Sequence, residues 1–148
     1  MIFGIFVAAL GLGMAASSAF AAPAADYDML NTVRATLLEK SSLFAQVGEV
    51  GEELRFCGFD SKADRLTAFI QQKAEKLADD FIAKNSGPWD NNETRAAMRT
   101  VYLSYAMGLG DGAGNAMKDT LPAIQWMGNQ KSSLCNIANE RYVDFMAR

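Results

Sequence analysis

The chain has 148 residues, with 14 Lys and Arg against 17 Asp and Glu, a formal net charge of −3 and no histidine. That balance removes nucleic acid as the default partner, because phosphate binding needs a surplus of cations. The missing imidazole removes every histidine-based general base or metal ligand, and the length can bury a core without a structural metal or a dense disulfide framework.

The first charged residue is Asp26. Ahead of it, Ile2 to Leu12 form a short apolar run, followed by the small residues Ala15-Ala16-Ser17-Ser18 and the small-x-small triplet Ala19-Phe20-Ala21. This is the pattern a signal peptidase reads, so residues 1–21 are expected to be a cleaved leader and 22–148 a single helical domain. The run departs from the usual pattern in one respect: no cation precedes Arg34, so the basic n-region is missing. An uncleaved anchor is the alternative. The apolar core is shorter than the roughly 20 residues of a comfortable membrane span, and no later run approaches that length. Export would place the protein in the periplasm or outside the cell.

After the leader, the apolar spacing is helical throughout. Asp26 or Asp28 opens a first segment with Leu30, Val33 and Leu37 on one face. A second segment carries Leu43, Val47, Val50, Leu54 and Cys57 at alternating four- and three-residue steps, an apolar seam that puts Cys57 on its buried side. Gly48 and Gly51 weaken this segment by about 1 kcal/mol each relative to Ala, so helix there depends on packing. Gly58 is a natural stop.

Asp60 or Ser61 starts the next helix, with Leu66, Phe69, Ile70, Leu77 and Phe81 inward. Lys62, Arg65, Lys73, Lys76, Asp80 and Lys84 face water, and Asp80 and Lys84 stand at the favourable four-residue spacing. Asn85-Ser86-Gly87-Pro88 ends it. Asp90 through Glu93 caps a third helix that buries Met98, Val101, Tyr105 and Leu109. Thr120 with Pro122 opens a further segment that breaks at Gly128-Asn129. Ser132 or Ser133 caps the last helix, whose apolar positions are Leu134, Ile137, Ala138, the stem of Arg141, Tyr142 and Phe145. No alternating β-branched run competes. The fold class is therefore all-α, a compact bundle of four or five helices.

Cys57 and Cys135 are the two cysteines, with no C-x-x-C spacing for zinc or redox chemistry. In an oxidising compartment an even pair in a small domain reads as one disulfide. Closing so long a loop stabilises by about 4 kcal/mol in the chain-entropy description.

The most unusual stretch is Gly108-Leu109-Gly110-Asp111-Gly112-Ala113-Gly114. Its spacing fits neither phosphate-loop motif, and no strand precedes it; as a calcium loop it lacks the required acids. Ala106, Gly110 and Gly114 recur every four residues, which suits close approach of another backbone or a helix break before it suits a ligand loop. Tyr102, Tyr105, Gly110, Gly114, Trp126 and Met127 are the candidate binding patch, with Tyr102 expected on the surface and Tyr105 and Trp126 better suited to the core. Glu49, Glu52 and Glu53 share one turn, and Glu75 and Asp79 form a like-charge pair; both read as solvated faces. No serine has a lysine base at S-x-x-K spacing, and Ser61-Lys62 point apart. Asn92-Glu93-Thr94 matches a glycosylation sequon but is better explained as helix capping.

The sequence thus assigns no catalytic residue, metal or cofactor. It points to a small exported accessory protein, inhibitor or chaperone that binds another envelope protein, with a small-molecule or lipid carrier built on the glycine and aromatic region as the alternative. An acid-triggered chaperone is one form of the first reading. Protonating all 17 carboxylates leaves the charge of 14 cations, enough repulsion to loosen a helical domain.

Overall fold

In a computed structural model the described residues are 24–85, 91–125 and 130–148. The expected leader, the breaker at Ser86-Gly87-Pro88, the Asp90 cap, Trp126, Met127 and the Gly128-Asn129 break lie outside them, as does the side chain of Leu30. Four helices and no strand occur among the described residues: α1 (Ala24–Phe56), α2 (Asp60–Lys84), α3 (Asn92–Gln125) and α4 (Gln130–Met146). None is long and apolar enough to cross a membrane.

The two N-terminal segments expected from the spacing are one helix. Helix α1 runs straight through Gly48 and Gly51 for 33 residues, about 50 Å at the α-helical rise. It ends where expected. Gly58 takes the left-handed conformation (φ 80°), the Gly58 N–H donates to the Arg55 carbonyl at 2.9 Å, and the Phe59 N–H donates to the Leu54 carbonyl at 2.8 Å. This paired closure satisfies two of the last carbonyls and turns the chain into α2. Phe59 stands at the α2 N-cap without a side-chain cap, and Asp60 sits in the first turn, where its charge complements the helix dipole.

Helix α3 is also continuous where two segments were expected. Pro122 lies inside it rather than at the start of a new helix. Proline is tolerated there because only the final turn follows, and Lys118, whose carbonyl it deprives of a donor, is an exposed residue. The α3 cap is Asn91, whose side-chain oxygen accepts the Thr94 N–H at 2.9 Å; Asn92 of the sequon is already helical. Helix α4 begins at Gln130, ahead of the expected serine caps.

Cross-helix contacts fix the directions. Phe81 stacks near Tyr102, Gly48 meets Gly110, and Ile70 reaches Gly110, so α2 runs against α1 and α3. Cys57 joins Cys135 with Cα atoms 5.7 Å apart, and Arg141 reaches Glu53, so α4 runs against α1. The expected disulfide is present and ties the end of α1 to the second turn of α4.

The core gathers Phe44, Val47, Val50 and Leu54 of α1, Leu66, Phe69, Ile70 and Phe81 of α2, Met98, Tyr102 and Ala106 of α3, and Ala138, Tyr142 and Phe145 of α4. Phe44 takes the inward place expected of Leu43, which is half-buried, as is Leu77. The α3 face is rotated from expectation: Tyr102 is 0% exposed and Val101 47%. Ile137, expected inward, is 52% exposed.

Glycine placement explains the rotation. A Cβ at Gly48 would stand 2.0 Å from the Gly110 carbonyl oxygen, and one at Gly114 would stand 3.2 Å from the Gly48 carbonyl oxygen. The two backbones touch there, so the four-residue row Tyr102, Ala106, Gly110, Gly114 must face α1. A Cβ at Gly108 or Gly112 would meet nothing within 4 Å. Gly48→Ala is expected to destabilise by about 2 kcal/mol or more through backbone overpacking, whereas Gly108→Ala and Gly112→Ala each stabilise by about 0.5–1 kcal/mol. Chemical denaturation of the three variants checks the order.

Candidate functional site

Of the expected binding patch, Tyr102, Gly110 and Gly114 are not at the surface. Gly110 and Gly114 are buried against α1. Tyr102, expected to be exposed, is completely buried, its ring centroid 6.2 Å from that of Phe81; the backbone contact of α1 with α3 turns it inward. Burial raises the Tyr102 phenol pKa, with the Thr36 hydroxyl acting in the opposite sense. Its hydroxyl has no well-formed hydrogen bond. Tyr105 is half-buried and packs on the core. Trp126 and Met127 lie outside the described residues.

The glycine contact does leave a cleft of about 180 Å³ between α1, α2 and α3. Its polar wall is Glu52, Arg55, Thr67, Asp111 and Asn115. Glu52 and Arg55 are paired at 2.6 Å, and the Thr67 hydroxyl donates to the Ala63 carbonyl at 3.4 Å. The one hydroxyl of the wall is thus engaged by the main chain of its own helix.

The acidic turn of α1 is not simply a solvated face. Glu53 is 4% exposed, and Arg141 of α4 donates to both its carboxylate oxygens, at 3.2 and 3.4 Å. Glu49 stands 3.7 Å from the same guanidinium. Arg141 thus contributes a charged head across the helix pair as well as the expected stem. Burial pushes the Glu53 pKa up, against the lowering effect of Arg141 and with a further raising effect from Glu49. The only hint in the sequence was that Glu53 lies four residues before Cys57, on the same helix face.

A second charged contact joins α2 to α3. Arg99 donates to Asp79 through Nε at 2.9 Å and Nη2 at 3.0 Å. This bidentate hydrogen bond lowers the Asp79 pKa. Asp80, expected to pair with Lys84, instead pairs with Lys76 at 3.2 Å.

At the far end of α3 the side chains of Ile124, Leu134 and Ile137, with Gln130 and Ser133, line an open hollow of about 360 Å³. Among the described residues, none that lines it is charged. The apolar spacing of α4 predicts core positions for Leu134 and Ile137, yet the second is half exposed.

The Glu53 environment makes a signed prediction. Its folded-state pKa lies above the unfolded one, so the folded state holds the proton more tightly. Stability from this group falls as pH rises through the interval between the two values. The stability of the native chain relative to Glu53→Gln is therefore expected to be greater at pH 4 than at pH 7, as urea unfolding at the two pH values will measure. A difference of the opposite sign excludes the burial effect.

No protein-family model, curated protein or solved structure matches this chain.

Proposed function

We propose that this is a small exported protein of the cell envelope that acts by binding another envelope protein, without catalysis. The observation that carries the reading is the uncharged hollow between α3 and α4, where Ile137 stands 52% exposed beside Ile124 and Leu134. An apolar hollow at the surface of a small domain is the kind of feature that a partner's side chain fills. In sequence, Ile124 and Gln130 flank Trp126 and Met127, residue types favoured in recognition surfaces. The Cys57–Cys135 bond supports an oxidising compartment, and the apolar leader pattern supports the route to it. The non-catalytic part of the reading is supported by the charged groups themselves: Glu53 and Asp79 are engaged by arginines between helices.

The carrier alternative in its original place loses support, because Tyr102, Gly110 and Gly114 are spent on packing. The acid-triggered chaperone keeps a specific support. As pH falls, Asp79 loses its charge and with it the bridge between α2 and α3, while the disulfide still joins α1 to α4. Glu53 acts in the opposite direction, since its protonation relieves a burial cost.

A photo-cross-linker at position 137 is expected to trap one discrete partner in an extract of the native envelope, and Ile137→Asp to abolish copurification of that partner without lowering the melting temperature. Trapping of no partner, or unchanged copurification with the variant, counts against the hollow. For the acid-triggered form, near-ultraviolet circular dichroism should collapse at pH 2 while the far-ultraviolet helical signal persists; an unchanged near-ultraviolet spectrum removes it.

A further inference from the structure

On the α1–α2 seam, away from the α3–α4 hollow and sharing no residue with it, lies a cavity of about 230 Å³. Its floor is apolar: Leu43 and Phe44 of α1, and Phe69 and Leu77 of α2. The three remaining lining residues, Lys40, Lys73 and Arg148, are all cations. This arrangement does not come from one run of basic sequence, because the three cations belong to α1, α2 and the segment after α4. The fold brings them together.

The rim is held in place. The Lys73 ammonium sits 5.1 Å from the centroid of the Phe69 ring and donates to the Arg148 main-chain oxygen at 3.3 Å. The Arg148 guanidinium lies 5.5 Å from the Phe145 ring centroid. Lys40 contacts Glu39 at 2.5 Å, so, with the carboxylate of Arg148 beside Lys73, two of the three side-chain charges are balanced locally and one is left over. An ammonium carries three donors, and a single hydrogen bond from Lys73 leaves it able to bind an anion.

We infer that this cavity is a binding site for an aliphatic carboxylate, its chain on Leu43, Phe44, Phe69 and Leu77 and its head between Lys40, Lys73 and Arg148. Charge complementarity selects the head: three cationic side chains meet two carboxylates, those of Glu39 and the Arg148 main chain, and the single excess positive charge suits one negative charge better than two. Size and polarity select the tail. A dry apolar cavity of about 150 Å³ accommodates benzene, so this one has room for a medium-length alkyl chain. The site goes beyond the protein-partner reading and lies apart from Ile137, so either can fail without the other.

Isothermal titration of the disulfide-intact chain with octanoate and with octanol tests the inference. Octanoate is expected to bind at least about tenfold more tightly than octanol. Lys40→Glu with Lys73→Glu should reduce octanoate affinity about tenfold and leave octanol unchanged, while Lys131→Glu on α4 alters neither. Equal affinities for the two probes, or no binding of octanoate, overturn the assignment on the native chain alone, whatever the folding of the variants. An equal loss in Lys131→Glu also overturns it, by showing a diffuse charge effect. Octanoate binding that is unaffected by the double reversal places the ligand elsewhere.

Discussion

Helices α1 and α3 meet backbone to backbone at Gly48 and Gly110, and the arrangement of the other helices follows from that contact. A side chain at Gly48 would overlap the Gly110 carbonyl, so the approach is available to glycine alone. Once the axes are this close, Tyr102 and Ala106 have no choice but the interior, and the Ile70 methyl of α2 closes on Gly110 from the third side. Burial then supports helix through a glycine-rich tract whose intrinsic propensity is poor. The glycines are an instrument of packing, and the cleft left beside them is a by-product of two helices touching without side chains between them.

Helix α4 is held by different means. It has the short inner row Ala138, Tyr142 and Phe145, supplemented by the Cys57–Cys135 bond and the Glu53–Arg141 pair one turn apart on α1. A buried ion pair adds little net stability, because desolvation offsets much of the attraction. Breaking it by removing one partner is costly, however, and the guanidinium is held from two sides, its Nη1 donating to both oxygens of Glu53 and its Nη2 facing Glu49. Covalent bond and ion pair together fix the register of α4 on α1.

Both proposed binding surfaces lie where this arrangement runs short of side chains to bury. At the α3–α4 end, Ile137 and its neighbours border a hollow without charge; on the α1–α2 seam, half-buried Leu43 and Leu77 border one whose rim is cationic. The contrast in rim chemistry separates the occupants: an uncharged concavity suits a partner's apolar side chain, and a cation-rimmed one suits a single acidic head on an alkyl tail.

The sequence by itself determined the helical class, the limits of α2, the Gly58 turn and the pairing of the cysteines. Each depends on local stereochemistry or on elimination: apolar spacing, a residue free to take positive φ, two cysteines and no alternative. It also limited the chemistry, since a chain without histidine has no imidazole wherever it folds. Tertiary structure alone decided that the glycine tract is continuous helix, that Tyr102 is inside and Val101 outside, and that Glu53 is buried under Arg141. Val101 and Tyr102 are neighbours on a helix with apolar residues on more than one side, so periodicity could not say which faces inward. The Gly48–Gly110 contact made that choice, between residues far apart in the chain. The same holds for the cations Lys40, Lys73 and Arg148: nothing in their separate neighbourhoods distinguishes them from solvated surface charge, and only the packing of three distant segments makes them one rim.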